Sequence, residues 1–132
     1  MSAGPKPLAL PRQQSPIVML DADEDPNAPG WIDIKLETRR GTPHCRVRRL
    51  RSEGVVTKLH RAALFTARPC TFRWHFTADE SWVVLAGRAT VIFDTGEVLE
   101  LGPGKVASVT AGQSSTWVVH ETIRKFLVVS SA

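Results

Sequence analysis

The sequence predicts an all-β fold, a small antiparallel sandwich or barrel, behind a flexible N-terminal arm. Short β-branched and apolar runs recur from Trp31 to the C-terminus, glycine-bearing turns separate them at regular intervals, and no convincing long helix interrupts them. The 132 residues suit one compact unit with enough apolar content for a real core. We place the arm at residues 1–30 and the β domain at residues 31–132.

Taken in order, Met1 to Pro16 is broken by Pro5, Pro7, Pro11 and Pro16 and can hold neither a helix nor a ladder. Ile17 to Leu20 is apolar enough for an edge strand, whereas Asp21 to Gly30 is acidic, contains Pro26 and Pro29, and reads as a loop. From Trp31 to Glu37, Ile32, Ile34 and Leu36 alternate with Asp33, Lys35 and Glu37, which predicts a half-buried strand ended by Gly41-Thr42-Pro43. Cys45 to Leu50 is a further strand, with Arg46 and Arg48 on one face and Arg49 and Arg51 on the other. Val55 to Leu59 and Ala62 to Thr66 have strand composition, although Leu59 to Leu64 also fits a helical turn.

Ala67 to Cys70 turns the chain into Phe72-Arg73-Trp74-His75-Phe76, where alternation puts three aromatics on one face and two cationic side chains on the other. Glu80 to Leu85 resumes strand composition, Asp79 is a turn or cap residue, and Gly87 allows a bend. Ala89 to Phe93, Asp94-Thr95-Gly96 and Glu97 to Leu101 form a β-hairpin pattern. Strands over Lys105 to Val109, Ser115 to His120 and Arg124 to Ser130 complete the series, with Trp31 and Trp82 read as core.

The formal charge of +4 is unevenly spread: ten of the 17 Lys and Arg lie between Arg39 and Arg73, against the single acid Glu53. The preceding acidic residues Asp21, Asp23, Glu24 and Asp25 are able to fold back and partly neutralise that stretch. A basic stretch is either a solvated face or a field for an anionic ligand, an acidic partner or nucleic acid. Zinc-finger spacing, an RNP-like aromatic motif and a recognition helix are all missing, which argues against nucleic acid. With no apolar run of spanning length and no secretory signal, the expectation is a cytoplasmic protein without a membrane segment. Cys45 and Cys70 lack CxxC spacing and are expected to be free thiols.

The spacing from Glu80 to Gly87, followed by Gly102-Pro103-Gly104, resembles the cupin superfamily. The stretch from Phe72 to Val129 is similar to the single-domain cupins grouped with the ureidoglycine aminohydrolase and the ethanolamine-utilisation Q-type proteins. The resemblance implies a jelly-roll β-barrel with a pocket for a small polar or anionic metabolite. It also implies an aminohydrolase-like activity on a ureido or amino acid derivative, or else a non-catalytic cupin that binds a small anion or docks on a partner.

The two histidines and glutamate of the first cupin motif correspond to Arg73, His75 and Glu80, and the histidine of the second corresponds to Ser115. On that mapping, His75 and Glu80 are the catalytic candidates, and Arg73, His75, Glu80, Ser115 and Trp117 line the ligand site. His75 and Glu80 are also the only ligands left for a weakly bound divalent transition metal, because Arg73 is a permanent cation without a lone pair. Trp117, Arg124 and Lys125 match an architectural tryptophan and basic pair of this group. The same mapping turns Phe72, Trp74 and Phe76 outward, where they need cover, and a homodimer or the N-terminal segment would supply it.

Overall fold

A computed structural model describes residues 16–53 and 60–131. Among them are nine strands and no helix: β1 (Trp31–Asp33), β2 (Glu37–Gly41), β3 (Arg46–Glu53), β4 (His60–Ala67), β5 (Cys70–His75), β6 (Asp79–Phe93), β7 (Val98–Leu101), β8 (Val106–Val109) and β9 (Ser114–Ser130). Every pairing is antiparallel. The all-β jelly-roll expectation therefore holds. No helix of the described residues is long and apolar enough to cross a membrane.

The sheet is organised around β9, which is one strand where the sequence predicts two. Its first half lies between β5 and the second half of β6, and its second half lies between β4 and the first half of β6. Ser115, Trp117, Val119, Ile123, Lys125 and Leu127 are all buried, so one parity of β9 faces inward along nearly its whole length.

On β6 the buried set changes from Glu80, Trp82 and Val84 to Ala89, Val91 and Phe93. The parity flip is absorbed by irregular pairing between Val84 and Ala89, and such irregularities bend a strand and re-aim its side chains. Gly87 sits inside this bend at φ +85°, with the Thr122 carbonyl and the Ile123 backbone against the place where a side chain would be.

The predicted strand from Trp31 to Glu37 is shorter than its alternation indicates. It stops at Asp33, and a separate strand, β2, begins at Glu37 and pairs with β5. Trp31 and Leu36 are buried while Ile32 is exposed, because the chain leaves β3 after three residues and turns toward β5. Gly41 closes β2 rather than ending a longer first strand. The strand expected over Val55 to Leu59 falls outside the described residues, as do residues 1–15 of the arm. Ala62 to Thr66 is strand rather than helical turn.

The acidic segment before β1 folds back as the charges predict, with Glu24 as the anchor. Its Oε1 accepts hydrogen bonds from the Trp31 indole at 2.8 Å and from Arg48 Nε at 3.3 Å. Arg46 reaches Asn27 and pairs with Asp33, and Arg124 donates to the Ala22 carbonyl while lying over the Trp31 ring. The outward arginines of β3 thus serve as fasteners for residues 22–33.

The bend of β6 generates a test on two glycines that share a left-handed backbone. Gly96 has φ +100° and nothing within 4 Å of an added Cβ, so Gly96→Ala is expected to cost about 1 kcal/mol. Gly87→Ala adds a backbone collision and is expected to cost at least about 2 kcal/mol more in urea unfolding. Equal losses for the two variants would show that the bend relaxes freely.

Candidate functional site

The inner faces of β3, β4, β5, β6 and β9 enclose a cavity of about 250 Å³. Its walls are mainly apolar, with Phe65 from β4, Phe72 and Trp74 from β5, and Trp117 and Leu127 from β9. Four charged residues are set into this lining: Arg49 from β3, Arg61 from β4, Glu80 from β6 and Lys125 from β9. Lys125 and Glu80 form a pair. Both are buried, with Lys125 Nζ 3.3 Å from Glu80 Oε2.

Lys125 owes its position to strand parity, since it lies on the same inward face as Trp117 and Leu127. Its ammonium lies 4.2 Å from the Trp117 ring centroid, 4.4 Å from that of Trp82 and 4.8 Å from that of Phe65. The negative faces of three rings thus attract the cation, adding to the pull of Glu80. Burial lowers the Lys125 pKa from its ordinary value, and the Glu80 carboxylate opposes that shift. One further polar atom belongs to this lining residue set. The Trp117 Nε1 is buried and has no hydrogen-bond acceptor among the described residues.

Of the residues proposed from sequence, Glu80 and Trp117 line the cavity. Ser115 is fully buried on the same face of β9, but its hydroxyl donates to the Trp74 carbonyl at 3.0 Å. Arg73 and His75 require a correction. They lie on the outer face of β5, and the aromatics assigned to the outside are the inward set: Phe72 and Phe76 are buried and Trp74 lines the cavity. The physical reason is area, because inverting β5 would expose two phenylalanines to shelter two cations.

Arg73 forms a two-pronged pair with Asp94, at 2.7 and 2.8 Å, and also donates to the Thr116 hydroxyl. His75 Nδ1 shares a 2.7 Å hydrogen bond with the Ser114 hydroxyl. The apolar patch that called for a second subunit or the N-terminal segment as cover is therefore largely core. Asp79 is a cap as expected, accepting from the Ala111 N–H at 2.9 Å.

A divalent metal, which the cupin resemblance implies, does not fit this donor set. His75 points outward, the Ser115 hydroxyl is engaged, and Glu80 already faces an ammonium that would repel a second cation. Among the described residues no three His, Cys, Asp or Glu side chains converge. The cysteines offer no nucleophile either: both are free and buried, and burial pushes the Cys45 thiol up to about 12.

Sequence reasoning did not place Lys125, Arg49 or Arg61 at the cavity, although all three line it. The available signal for Lys125 was its parity with Trp117. For Arg61 it was parity with Ala63 and Phe65, which are both buried.

Two outcomes follow from this geometry. Lys125→Met strands the Glu80 carboxylate in an apolar wall and should cost about 3–5 kcal/mol, whereas the double variant Glu80→Leu/Lys125→Met should recover most of that loss in denaturant unfolding. On the outer face, hydrogen bonding to Arg73 holds the Asp94 carboxyl below its ordinary value of 3.8. The stabilisation from this pair is full above pH 3.8 and is lost as pH falls through the depressed value, where Asp94 protonates. In Arg73→Ala the Asp94 side-chain resonance should titrate back in the ordinary range by NMR; an unchanged midpoint would rule out the pairing.

The sequence model of the family described as the EutQ-like cupin domain matches residues 57–126. No curated protein sequence matches the chain. Among solved structures, an ethanolamine utilisation protein Q (EutQ) from Salmonella typhimurium is 23% identical, with 67% of this chain and 70% of that chain covered and a TM-score of 0.57. The EutQ protein of Clostridium difficile is 19% identical over 75% of this chain and 82% of its own, with a TM-score of 0.54. An ectoine synthase from P. lautus is 15% identical over 86% of this chain and 78% of its own, with a TM-score of 0.62. At these identities the structures share a fold with this chain, and the family match over more than half of its 132 residues, joined to that fold, makes the chain a member of the EutQ-like cupin domain family.

Proposed function

We propose that the barrel cavity binds a small polar or anionic metabolite and that Glu80 and Lys125 are the pair that exchanges protons with it. One observation supports this above the rest: a buried ion pair and an indole N–H without an acceptor belong to the walls of a single cavity. A barrel serving only as a scaffold gains little from them, since apolar residues of similar volume are often as stable as a buried ion pair. An acceptor atom on a bound ligand would satisfy the Trp117 N–H.

The same pair suits an aminohydrolase-type step on a ureido or amino acid derivative. Water adds to the carbon bearing the nitrogen as Glu80 takes its proton, and the carbon–nitrogen bond breaks as the Lys125 ammonium protonates the departing amine. Proton return from Glu80 to Lys125 across their 3.3 Å contact resets the site. Electrons and protons balance without a metal or redox partner. His75, the catalytic candidate of the motif mapping, has no part in this scheme because it lies on the outer face.

The test is a panel of small carboxylates, ureidoglycine and related ureido and amino acids, followed by tryptophan fluorescence and by ammonia release. Binding should quench the cavity tryptophans, Glu80→Gln should abolish ammonia release, and Arg73→Ala and His75→Ala should leave both signals within about twofold of wild type. Binding without ammonia release would leave a non-catalytic anion-binding cupin. Absence of any fluorescence response across the panel would defeat the binding reading itself.

A further inference from the structure

Arg49 and Arg61 line the cavity together with the buried pair, and the fastening network of the N-terminal segment uses neither. Arg49 pairs in register with Ala63, and Arg61 lies two residues before Ala63, so both belong to the inward parity of β3 and β4. The ladder shifts register between Arg49 and Arg51, a bulge of the kind that re-aims side chains at the end of a sheet. Arg49 is exposed and Arg61 is partly buried, which puts them nearer solvent than Lys125 and Glu80, the buried pair of the same lining.

No carboxylate among the described residues is paired with either guanidinium. Arg61 Nε donates to the Ser52 hydroxyl at 3.1 Å, which fixes the plane of the guanidinium. The two cations feel one another: burial lowers the Arg61 pKa first, and the charge of Arg49 lowers it further. Two like charges brought together with no carboxylate paired to them among the described residues create an electrostatic demand for an anion. Lys125 does not share that demand, because Glu80 already neutralises it.

Resting on the cavity being a ligand site, we infer that its ligand is an amphipathic carboxylate. The carboxylate is held by Arg49 and Arg61, and the apolar chain runs inward along Phe72, Trp74 and Trp117. Guanidinium groups match a carboxylate edge to edge, and aromatic and aliphatic walls select an uncharged body rather than a second anion. The charge distribution sets the orientation, because a carboxylate pointing inward would meet Glu80 beside the already neutralised ammonium.

Hexanoate and hexanamide, equal in length and differing in charge, are the probes. Their dissociation constants are read from the shift of the Trp117 indole resonance in the full-length protein. Hexanoate should bind at least about tenfold tighter than hexanamide. Arg49→Gln and Arg61→Gln should each reduce that preference, whereas Arg88→Gln, an equal charge change on an arginine paired with Glu121 outside the cavity, should preserve it. Arg49 is exposed, so its variant keeps the test available even where Arg61→Gln perturbs β4. Equal affinities for the two probes, or an equal loss in Arg88→Gln, would overturn the carboxylate assignment and leave the cavity as a ligand site. If neither probe moves the Trp117 indole, the cavity reading falls with it.

Discussion

The ammonium of Lys125 is the constraint on which the barrel interior depends. A lone charge at this position would face a desolvation cost of several kcal/mol. Glu80 offsets it only in part, because 3.3 Å is long for a charge-assisted hydrogen bond. The remainder falls to the rings: Trp82, Trp117 and Phe65 turn their faces to the cation from three strands, β6, β9 and β4. This requirement couples strands that backbone ladders alone leave free to slide. Moving β9 by one residue would turn Lys125 out and take Trp117 with it. Trp117 in turn stacks on Phe72 and meets Trp82, so the cage and the aromatic core are one packing unit.

Much of the fold was legible because turns and alternation are local. The hairpin at Asp94-Thr95-Gly96 and the strands around it appear where composition puts them. The continuity of β6 and β9 was not legible, because the bend at Gly87 reads as a break unless the partner strand crossing it is known. The face of β5 is a different case. Alternation alone would have buried Phe72, Trp74 and Phe76, and the motif correspondence pulled the assignment the other way. Burial of Phe72 and Phe76 decides it, and a partner 21 residues away supports the same face: Asp94 gives Arg73 a carboxylate on the outside, so its charge has no need of the interior. A long-range pair of this kind leaves no trace in local periodicity.

The basic stretch shows how parity divides one compositional feature into two roles. Arg46 and Arg48 point outward and meet Asn27, Asp33 and Glu24, which ties down the acidic segment that precedes them. Arg49 and Arg61 fall on the inward parity and keep their charge for the cavity. Net charge along the sequence left a solvated face and an anion-seeking region as alternatives. Only the strand register distinguishes the arginines already neutralised from those that are not.

A cation fixed inside the barrel also limits what the cavity is able to hold. Where a metal presents open coordination positions to a ligand, Lys125 presents three donors, and its charge is already shared among Glu80 and three ring faces. An incoming anion gains little there, since it must compete with a carboxylate that cannot leave β6. The uncompensated field lies instead at Arg49 and Arg61, and among the described cavity-lining residues Trp117 carries a buried N–H without an acceptor. A ligand that satisfies both needs a charged end and an acceptor separated by an uncharged span. On the carboxylate proposal, the charge demand at Arg49 and Arg61 and the donor on Trp117 are separate requirements, so ligand length would be selected along with ligand charge.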